Sequence, residues 1–355
     1  MSARRRVGRY AAAAAAAAGA AVAGTAIGFA RRRRVIARRG VGERTPLGSL
    51  RAEPRTVVAD DGVPLHVEVD EPAEDAPGSP TVVFLHGYAL NLDCWHFQRA
   101  GYRGLLRTVF VDHRSHGRSG RSAEENATID RLGLDLRQVL DQVVPDSPVV
   151  LVGHSMGGMA IMALAEHHPE MFGDRVVGVA LISTTAGGLS PHRLLLPVLP
   201  DVVGGEVAQR VVAGLARASR TVDGVRRLGR GVAAVLTDAF AFGDEVPGHY
   251  VAFLDEMLSA TPFEVVAQFF PHFASLDKFA VLEAFAQVPT AIICGTADRL
   301  TSIGHSRKMH DLLPDSVLVE CEGAGHMVIM ERHEQVNAAL DQLIAAASHP
   351  TAGRA

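Results

Sequence analysis

The chain has 355 residues, 48% of them hydrophobic, with 35 basic and 39 acidic side chains. That is ample for a real core and fits one large domain rather than a small scaffold that depends on staples. Cys94, Cys294 and Cys321 show no paired or metal-ligand spacing, which excludes a disulfide framework; Cys294 and Cys321 lie in apolar runs and read as buried small hydrophobes.

Charge is unevenly placed. Arg4, Arg5, Arg6 and Arg9 precede an uncharged, mostly alanine run from Tyr10 to Ala30, which is followed by Arg31 to Arg34, Arg38 and Arg39. With these ten arginines set aside, 25 basic residues face 39 acidic ones, so the body is acidic. An acidic body behind a short basic arm argues against a nucleic-acid partner. At about 1.5 Å per residue the run from Ala11 to Ala30 is long enough to cross a bilayer as a helix. Three readings stay open: a membrane anchor, an export signal of the twin-arginine sort, and a basic arm that is disordered or lies on a surface. Six arginines after the run against four before it favour a membrane-associated chain with its large domain on the cytoplasmic side; export is the alternative. Residues 1–40 are taken as this segment and 41–54, with Gly42, Pro46, Gly48 and Pro54, as a linker.

Strand candidates at Arg55 to Ala59 and Leu65 to Asp70 flank a turn at Asp60-Asp61-Gly62. Thr81 to Leu85 is a buried-strand run that ends in His86-Gly87-Tyr88, with Trp95 in a short helical segment beyond it. Arg107 to Val111 is the next strand and ends at Asp112-His-Arg-Ser-His-Gly-Arg-Ser-Gly120. Leu132, Leu134, Leu136, Val139, Leu140 and Val143 mark one face of a helix over Thr128 to Val144. After the apolar run from Val149, a helix over Met159 to Glu166 and a strand over Arg175 to Ile182 follow. Strands alternating with helices predict a mostly parallel sheet covered on both faces, with chemistry gathered beyond the carboxyl ends of the strands.

From about Gly187 to Leu276 the rhythm breaks. Helical patterns at Gly205 to Arg217, Val225 to Ala239, Tyr250 to Leu258 and Glu264 to Phe273 follow one another with almost no strand signal, so 187–276 reads as an inserted helical cap. The core, 55–186, resumes over 277–347 with the apolar run from Val288 to Asp298, a helix over His305 to Leu313, a strand over Ser316 to Glu320 and a helix over Glu334 to Ala347. A tail of 348–355 ends the chain.

Gly153-His154-Ser155-Met156-Gly157 ends the strand that starts at Val149. Small residues on each side permit a tight strand-to-helix turn that would lift Ser155 Oγ clear of the sheet and leave the N–H of Met156 at a helix start. Ser155, Asp298 and His326 occur in the order serine, acid, histidine, each after a predicted strand. His326 would take the proton of Ser155 and return it to a leaving group, while Asp298 would hold the ring's tautomer. Oxyanion donors would be the N–H groups of Met156 and of Tyr88, just past Gly87.

These motifs resemble the α/β-hydrolase superfamily, in the capped branch that includes esterases, monoacylglycerol-type lipases and cofactor-free haloperoxidases. The resemblance covers roughly residues 54 to 347. The family's His-Gly strand end falls on His86-Gly87, its tryptophan on Trp95, its Asp-x-Arg-Gly-His-Gly-x-Ser loop on Asp112 to Ser119, its nucleophile on Ser155 and its remaining triad members on Asp298 and His326. Ser115 stands where glycine is common and Ser302 where proline is frequent. The resemblance implies an α/β fold with an eight-stranded, mostly parallel sheet and an inserted helical cap. It implies a serine hydrolase of carboxylic esters, with no cofactor and no metal; the apolar cap and the membrane-proximal arm favour a small lipophilic ester as its substrate. His113 and His116 then read as loop structure, and His154 as packing beneath the turn. Two alternatives stand beside this: carbon–carbon bond hydrolysis or peracid formation on the same triad, and a non-catalytic, membrane-tethered binding protein. Nothing in the sequence indicates an oligomeric state.

Overall fold

A computed structural model describes residues 45–74, 78–189, 238 and 240–348. The run from Ala11 to Ala30 and the helical patterns at Gly205 to Arg217 and, Asp238 excepted, Val225 to Ala239 lie outside the described residues. Among the described residues no helix is long and apolar enough to cross a membrane.

Eight strands form one sheet: β1 (Pro54–Val58), β2 (Pro64–Asp70), β3 (Thr81–Leu85), β4 (Thr108–Val111), β5 (Val149–His154), β6 (Val176–Ile182), β7 (Thr290–Gly295) and β8 (Val317–Cys321). Their order across the sheet is β1-β2-β4-β3-β5-β6-β7-β8. Only the β1–β2 and β2–β4 pairs are antiparallel; every other pair is parallel. The Asp60-Asp61-Gly62 turn closes the first hairpin, with Gly62 at φ 85 and its N–H on Ala59 O.

The apolar runs do not alternate with polar residues because both faces of the sheet are covered. In β3, Val82 and Phe84 face one core and Val83 and Leu85 the other. Val150 and Val152 against Val149 and Leu151 repeat this in β5, as do Ala180 and Ile182 against Val179 and Leu181 in β6. Successive side chains of a strand point to opposite faces, so only a strand buried on both sides tolerates such a run. Each such side chain gains about 1.5–3 kcal/mol by leaving water.

The described helices are α1 (His96–Tyr102), α2 (Ile129–Val143), α3 (Met156–His167), α4 (Gly248–Ala260), α5 (Phe263–Ala274), α6 (Ile303–Leu312), α7 (Val328–Glu331) and α8 (His333–Ser348). Leu340 and Leu343 of α8 cover the first face, and Leu136 and Val139 of α2 with Ile161 and Met162 of α3 cover the second. The helical face predicted for α2 differs at one place. Leu134 is only half-buried, while Asp135 is buried and accepts Nε–H of Arg114 at 2.6 Å. An ion pair thus occupies a core position that a hydrophobic count assigns elsewhere. Helix α3 starts at Met156 rather than Met159 and stops at His167, before Pro169 opens a short 3-10 turn.

Helices α4 and α5 belong to the predicted cap and match its last two helical patterns. Val265, Phe269 and Phe273 of α5 pack with Met156, Met159 and Leu132, so the helix lies on the start of α3. Tyr250 of α4 meets Phe97 of α1 with ring centres 5.4 Å apart.

Candidate active site

Strand β5 is central in the sheet, between β3 and β6. It is followed at once by Ser155, at φ 53 and ψ −116, and then by helix α3. The sharpness of this turn is what the flanking glycines allow. A Cβ on Gly157 would lie 2.1 Å from Leu85 O, and one on Gly153 would lie 2.5 Å from the carbonyl carbon of Gly157. The turn is pinned by Ser155 N–H on Ile182 O at 2.9 Å and by the Thr184 hydroxyl, which donates to Ser155 O at 2.7 Å. A serine in this backbone region costs of order 1–3 kcal/mol, and the surrounding bonds hold it there.

The Met156 N–H opens α3 and, like the first donors of any helix, has no intrahelical acceptor. Gly87 packs against the same turn: a Cβ there would lie 2.8 Å from His154 Nδ1 and 3.1 Å from Ser155 Cβ. The loop after β3 can approach this closely only because Gly87 has no side chain, and Tyr88 is the next residue.

Asp298 follows β7 and His326 follows β8. His326 Nδ1–H donates to Asp298 Oδ2 at 2.9 Å. A ring that spends its Nδ1 proton on the acid presents Nε2 as an acceptor. Ser155, Asp298 and His326 are all largely withdrawn from water, at 9%, 5% and 7% exposure. Burial pushes the Asp298 carboxyl up, but the His326 ring beside it and the Thr301 and Leu300 N–H groups outweigh this and hold it below the usual carboxylate range. His154 joins the two halves of the site. Its Nε2–H donates to the backbone carbonyl of His326 at 2.9 Å, and the two rings lie 4.9 Å apart. Burial, with His326 next to it, presses the His154 pKa to about 3, so this ring is neutral.

Sequence reading places His154 beneath the turn but does not reveal this bond, because residues 172 apart meet only in the fold. Two further supports are absent from the sequence reading. Thr301 donates its hydroxyl to Asp298 Oδ2 at 3.0 Å. Half-buried Glu331 accepts Gly325 N–H at 2.7 Å and Gly243 N–H at 2.9 Å, tying the His326 loop to the chain that enters α4. The first had a signal, since an acid followed three residues later by threonine is a side-chain turn pattern; the second had none.

The histidines of the loops after β3 and β4 serve each other. His86 Nδ1–H donates to Gly87 O at 2.7 Å, which leaves Nε2 to accept His113 N–H at 3.0 Å. His113 Nε2–H returns a bond to His86 O at 3.0 Å, and His116 Nδ1–H donates to Arg114 O at 2.9 Å. This gives His113 and His116 the loop-holding contacts read for them. Asp112 accepts Leu92 N–H at 2.7 Å and Arg118 N–H at 2.8 Å, and burial pushes its carboxyl up to about 6. Ser115, at the position where the resemblance implies glycine, takes φ 64, and its Oγ accepts Ser122 N–H at 3.0 Å. The loop therefore keeps the left-handed turn at a cost of about 1–2 kcal/mol that the added hydrogen bond offsets in part.

The profile of the alpha/beta hydrolase family matches residues 82–339. The chain belongs to the alpha/beta hydrolase family. It is 27% identical over 255 residues to the monoacylglycerol lipase of Mycolicibacterium smegmatis, a match that spans 70% of this chain and 80% of that one. Among solved structures, an esterase from Thermogutta terrifontis superposes with a TM-score of 0.66 at 22% identity, over 84% of this chain and all of the other. The enol-lactonase of Burkholderia xenovorans does so with 0.64 at 22% identity, over 82% of this chain and all of the other. At such identity these two bear on the fold alone. As an alpha/beta hydrolase, the chain is a hydrolytic enzyme with esterase- and lipase-like relatives.

The three cysteines of this hydrolase are free and buried. One group of potential metal ligands stands among the described residues, the exposed Asp130, Glu166 and His167. The Lys278 ammonium already bridges Asp130 and Glu166, so the cluster is an ion-pair network.

Proposed function

We propose that this hydrolase cleaves carboxylic esters with a lipophilic acyl part through an acyl-enzyme on Ser155. The observation that carries the reading is the hydrogen bond of His326 to Asp298 at 2.9 Å, in a loop that His154 ties to the strained Ser155 turn. Ser155 Oγ attacks the ester carbonyl while its proton passes to His326 Nε2, and Asp298 stabilises the resulting imidazolium. The oxyanion is taken by the N–H groups of Met156 and Tyr88. As the tetrahedral intermediate collapses, the carbon–oxygen bond breaks and the alcohol leaves with the proton from His326. Water, deprotonated by His326, then attacks the acyl-enzyme, and the carboxylic acid departs as Ser155 recovers its proton. No step in this sequence calls for a cofactor.

Three features support a lipophilic substrate. The buried Phe269 and Phe273 of the proposed 187–276 cap lie against Met156 and Tyr88. The relative from Mycolicibacterium smegmatis is a monoacylglycerol lipase. The uncharged run from Tyr10 to Ala30 between arginine clusters supports association with a membrane, as an anchor or as part of an export signal. Detergent extraction and N-terminal sequencing of the native protein separate an uncleaved anchor from a removed signal.

The test is hydrolysis of aryl esters from acetyl to palmitoyl, run beside Ser155→Ala and with intact mass after an organophosphonate. We expect a rate that peaks at one chain length, a single adduct on Ser155, and a loss of about six orders of magnitude in kcat for the variant. A folded protein that turns over no ester would refute the reading, and an adduct without turnover would favour carbon–carbon hydrolysis or peracid formation on the same residues.

A further inference from the structure

Both oxygens of Asp298 are fully engaged. Oδ1 accepts the backbone N–H groups of Leu300 at 2.8 Å and Thr301 at 2.9 Å. Oδ2 accepts His326 Nδ1–H at 2.9 Å and the Thr301 hydroxyl at 3.0 Å, with the Cys294 thiol a more distant donor at 4.0 Å. Thr301 Oγ1 is also 3.4 Å from His326 Nδ1, so hydroxyl, carboxylate oxygen and ring nitrogen close a triangle. Thr301 is 3% exposed, which leaves water little means of replacing its hydroxyl.

We propose that Thr301 is a positioning residue that sets the strength of Asp298 as the partner of His326, by competing with the ring for the same carboxylate oxygen. The inference rests on the reading of Ser155, His326 and Asp298 as the reacting constellation. A donor to a carboxylate draws off part of its negative charge, and an oxygen shared by two donors stabilises a neighbouring imidazolium less than one reserved for the ring. His326 must take a proton from Ser155 and then give it up to the leaving alkoxide. An acid at full strength would favour the first transfer and retard the second. The Thr301 hydroxyl moderates it, while the Leu300 and Thr301 N–H groups keep the carboxylate from turning away.

Other groups face this pair. His154 comes from the end of β5 with its ring 4.9 Å from that of His326, and is neutral because it is buried. Cys294 of β7 has its Sγ 4.0 Å from Asp298 Oδ2, with its thiol pushed up to about 12 by burial and by that carboxylate. Glu331 of α7 reaches the loop through Gly325 N–H. A substitution at Thr301 changes none of these residues themselves.

Thr301→Val removes the hydroxyl and keeps the shape and the backbone N–H, whereas Thr301→Ser keeps the hydroxyl. The readout is the pH dependence of kcat/KM on an aryl ester, together with the proton resonance of His326 Nδ1–H. With Thr301→Val we expect the acid limb to move to higher pH by about half a unit to one unit and the Nδ1–H resonance to move downfield, while Thr301→Ser superimposes on the parent. Should the valine variant fold poorly by circular dichroism, Thr301→Ala carries the same two expectations. A limb that stays in place when the hydroxyl is gone, or one that moves as far in Thr301→Ser, overturns the proposal, even if kcat falls. Hydrolysis that survives Ser155→Ala would instead overturn the reading of the constellation itself, so the two failures are told apart.

Discussion

Ala89, Ser115, Ser155 and Ser183 are the non-glycine residues with positive φ among those described, and they follow β3, β4, β5 and β6 respectively. Backbone strain of this kind costs of order 1–3 kcal/mol per residue and persists only where the surroundings over-determine it. Here it is confined to the carboxyl edge of the sheet, the edge that carries Ser155. Ser302 is an opposite case. It takes φ −53 and ψ 154, which proline adopts without strain, and its Oγ makes only an exposed contact to His305 Nδ1 at 3.1 Å. Proline there would restrict the unfolded chain at little native cost. Ser302→Pro should therefore raise stability by about 0.4–1 kcal/mol and leave kcat/KM unchanged. Urea denaturation checks this; a lowered midpoint would show that Thr301 cannot accommodate a following proline ring.

At the scale of elements, the loop after β3 hangs from helix α5 and the α4–α5 link as well as from the sheet. The Tyr88 hydroxyl donates to Val266 O of α5, and its ring meets Phe273 edge-on with centres 4.8 Å apart. Thr261, between α4 and α5, donates its hydroxyl to Ala89 O at 2.9 Å. The backbone N–H proposed to hold the oxyanion is thus positioned by helices that also cover the site. Tyr88→Phe keeps the ring contact and removes the tie. It should cost about 1 kcal/mol of stability and lower kcat several-fold with a smaller change in KM, since an oxyanion donor acts in the transition state. Steady-state kinetics beside urea denaturation decide it. An unchanged kcat at reduced stability would make the tie purely structural.

Over the whole molecule, burial of neutral histidines governs the response to acid. Burial, aided by neighbouring rings, presses His113 and His154 to about 3 and takes His86 well below its ordinary value, and burial with Arg121 nearby presses His116 to about 4. Each binds a proton in the unfolded chain near pH 6.5 but not in the native one until the pH is far lower. Their stabilising contribution is therefore full above pH 6.5 and is lost as pH falls toward the folded values. Asp112, pushed up to about 6 by burial, acts the other way between pH 6 and its unfolded value, as do Asp135 and Glu331, whose carboxyls burial also raises, against the four buried rings and His272, which burial also lowers. Unfolding near pH 5 should thus take up protons net. Glu68, burial notwithstanding, is held to about 2 by His66, the Ala52 N–H and Arg99, and Asp61 to about 2 chiefly by Arg114, so these two add losses only below pH 4.5. Urea midpoints at pH 7, 6 and 5 should fall steeply across that range. A flat profile would refute the assignment.

The sequence by itself determined the order and kind of the eight strands and the longer core helices, though not α7, because short apolar runs such as Val149 to Val152 between turn signals suit strands covered on both faces. It also determined the serine turn, since Gly153 and Gly157 stand where a Cβ would strike backbone two or three residues from the motif's centre or on the adjoining strand. It named Ser155, Asp298 and His326 by their order and their places after strands. What it left undecided are contacts between segments far apart in the chain: His154 on the His326 carbonyl, Glu331 on Gly325 and Gly243, Tyr88 on α5, Arg114 paired in the core with Asp135. Local pattern carries the geometry of a turn and the period of an element, since both depend on residues within a few positions. Which donor meets which acceptor across the carboxyl edge depends on how eight strands are ordered and how deeply water is excluded, and only the tertiary structure decides that.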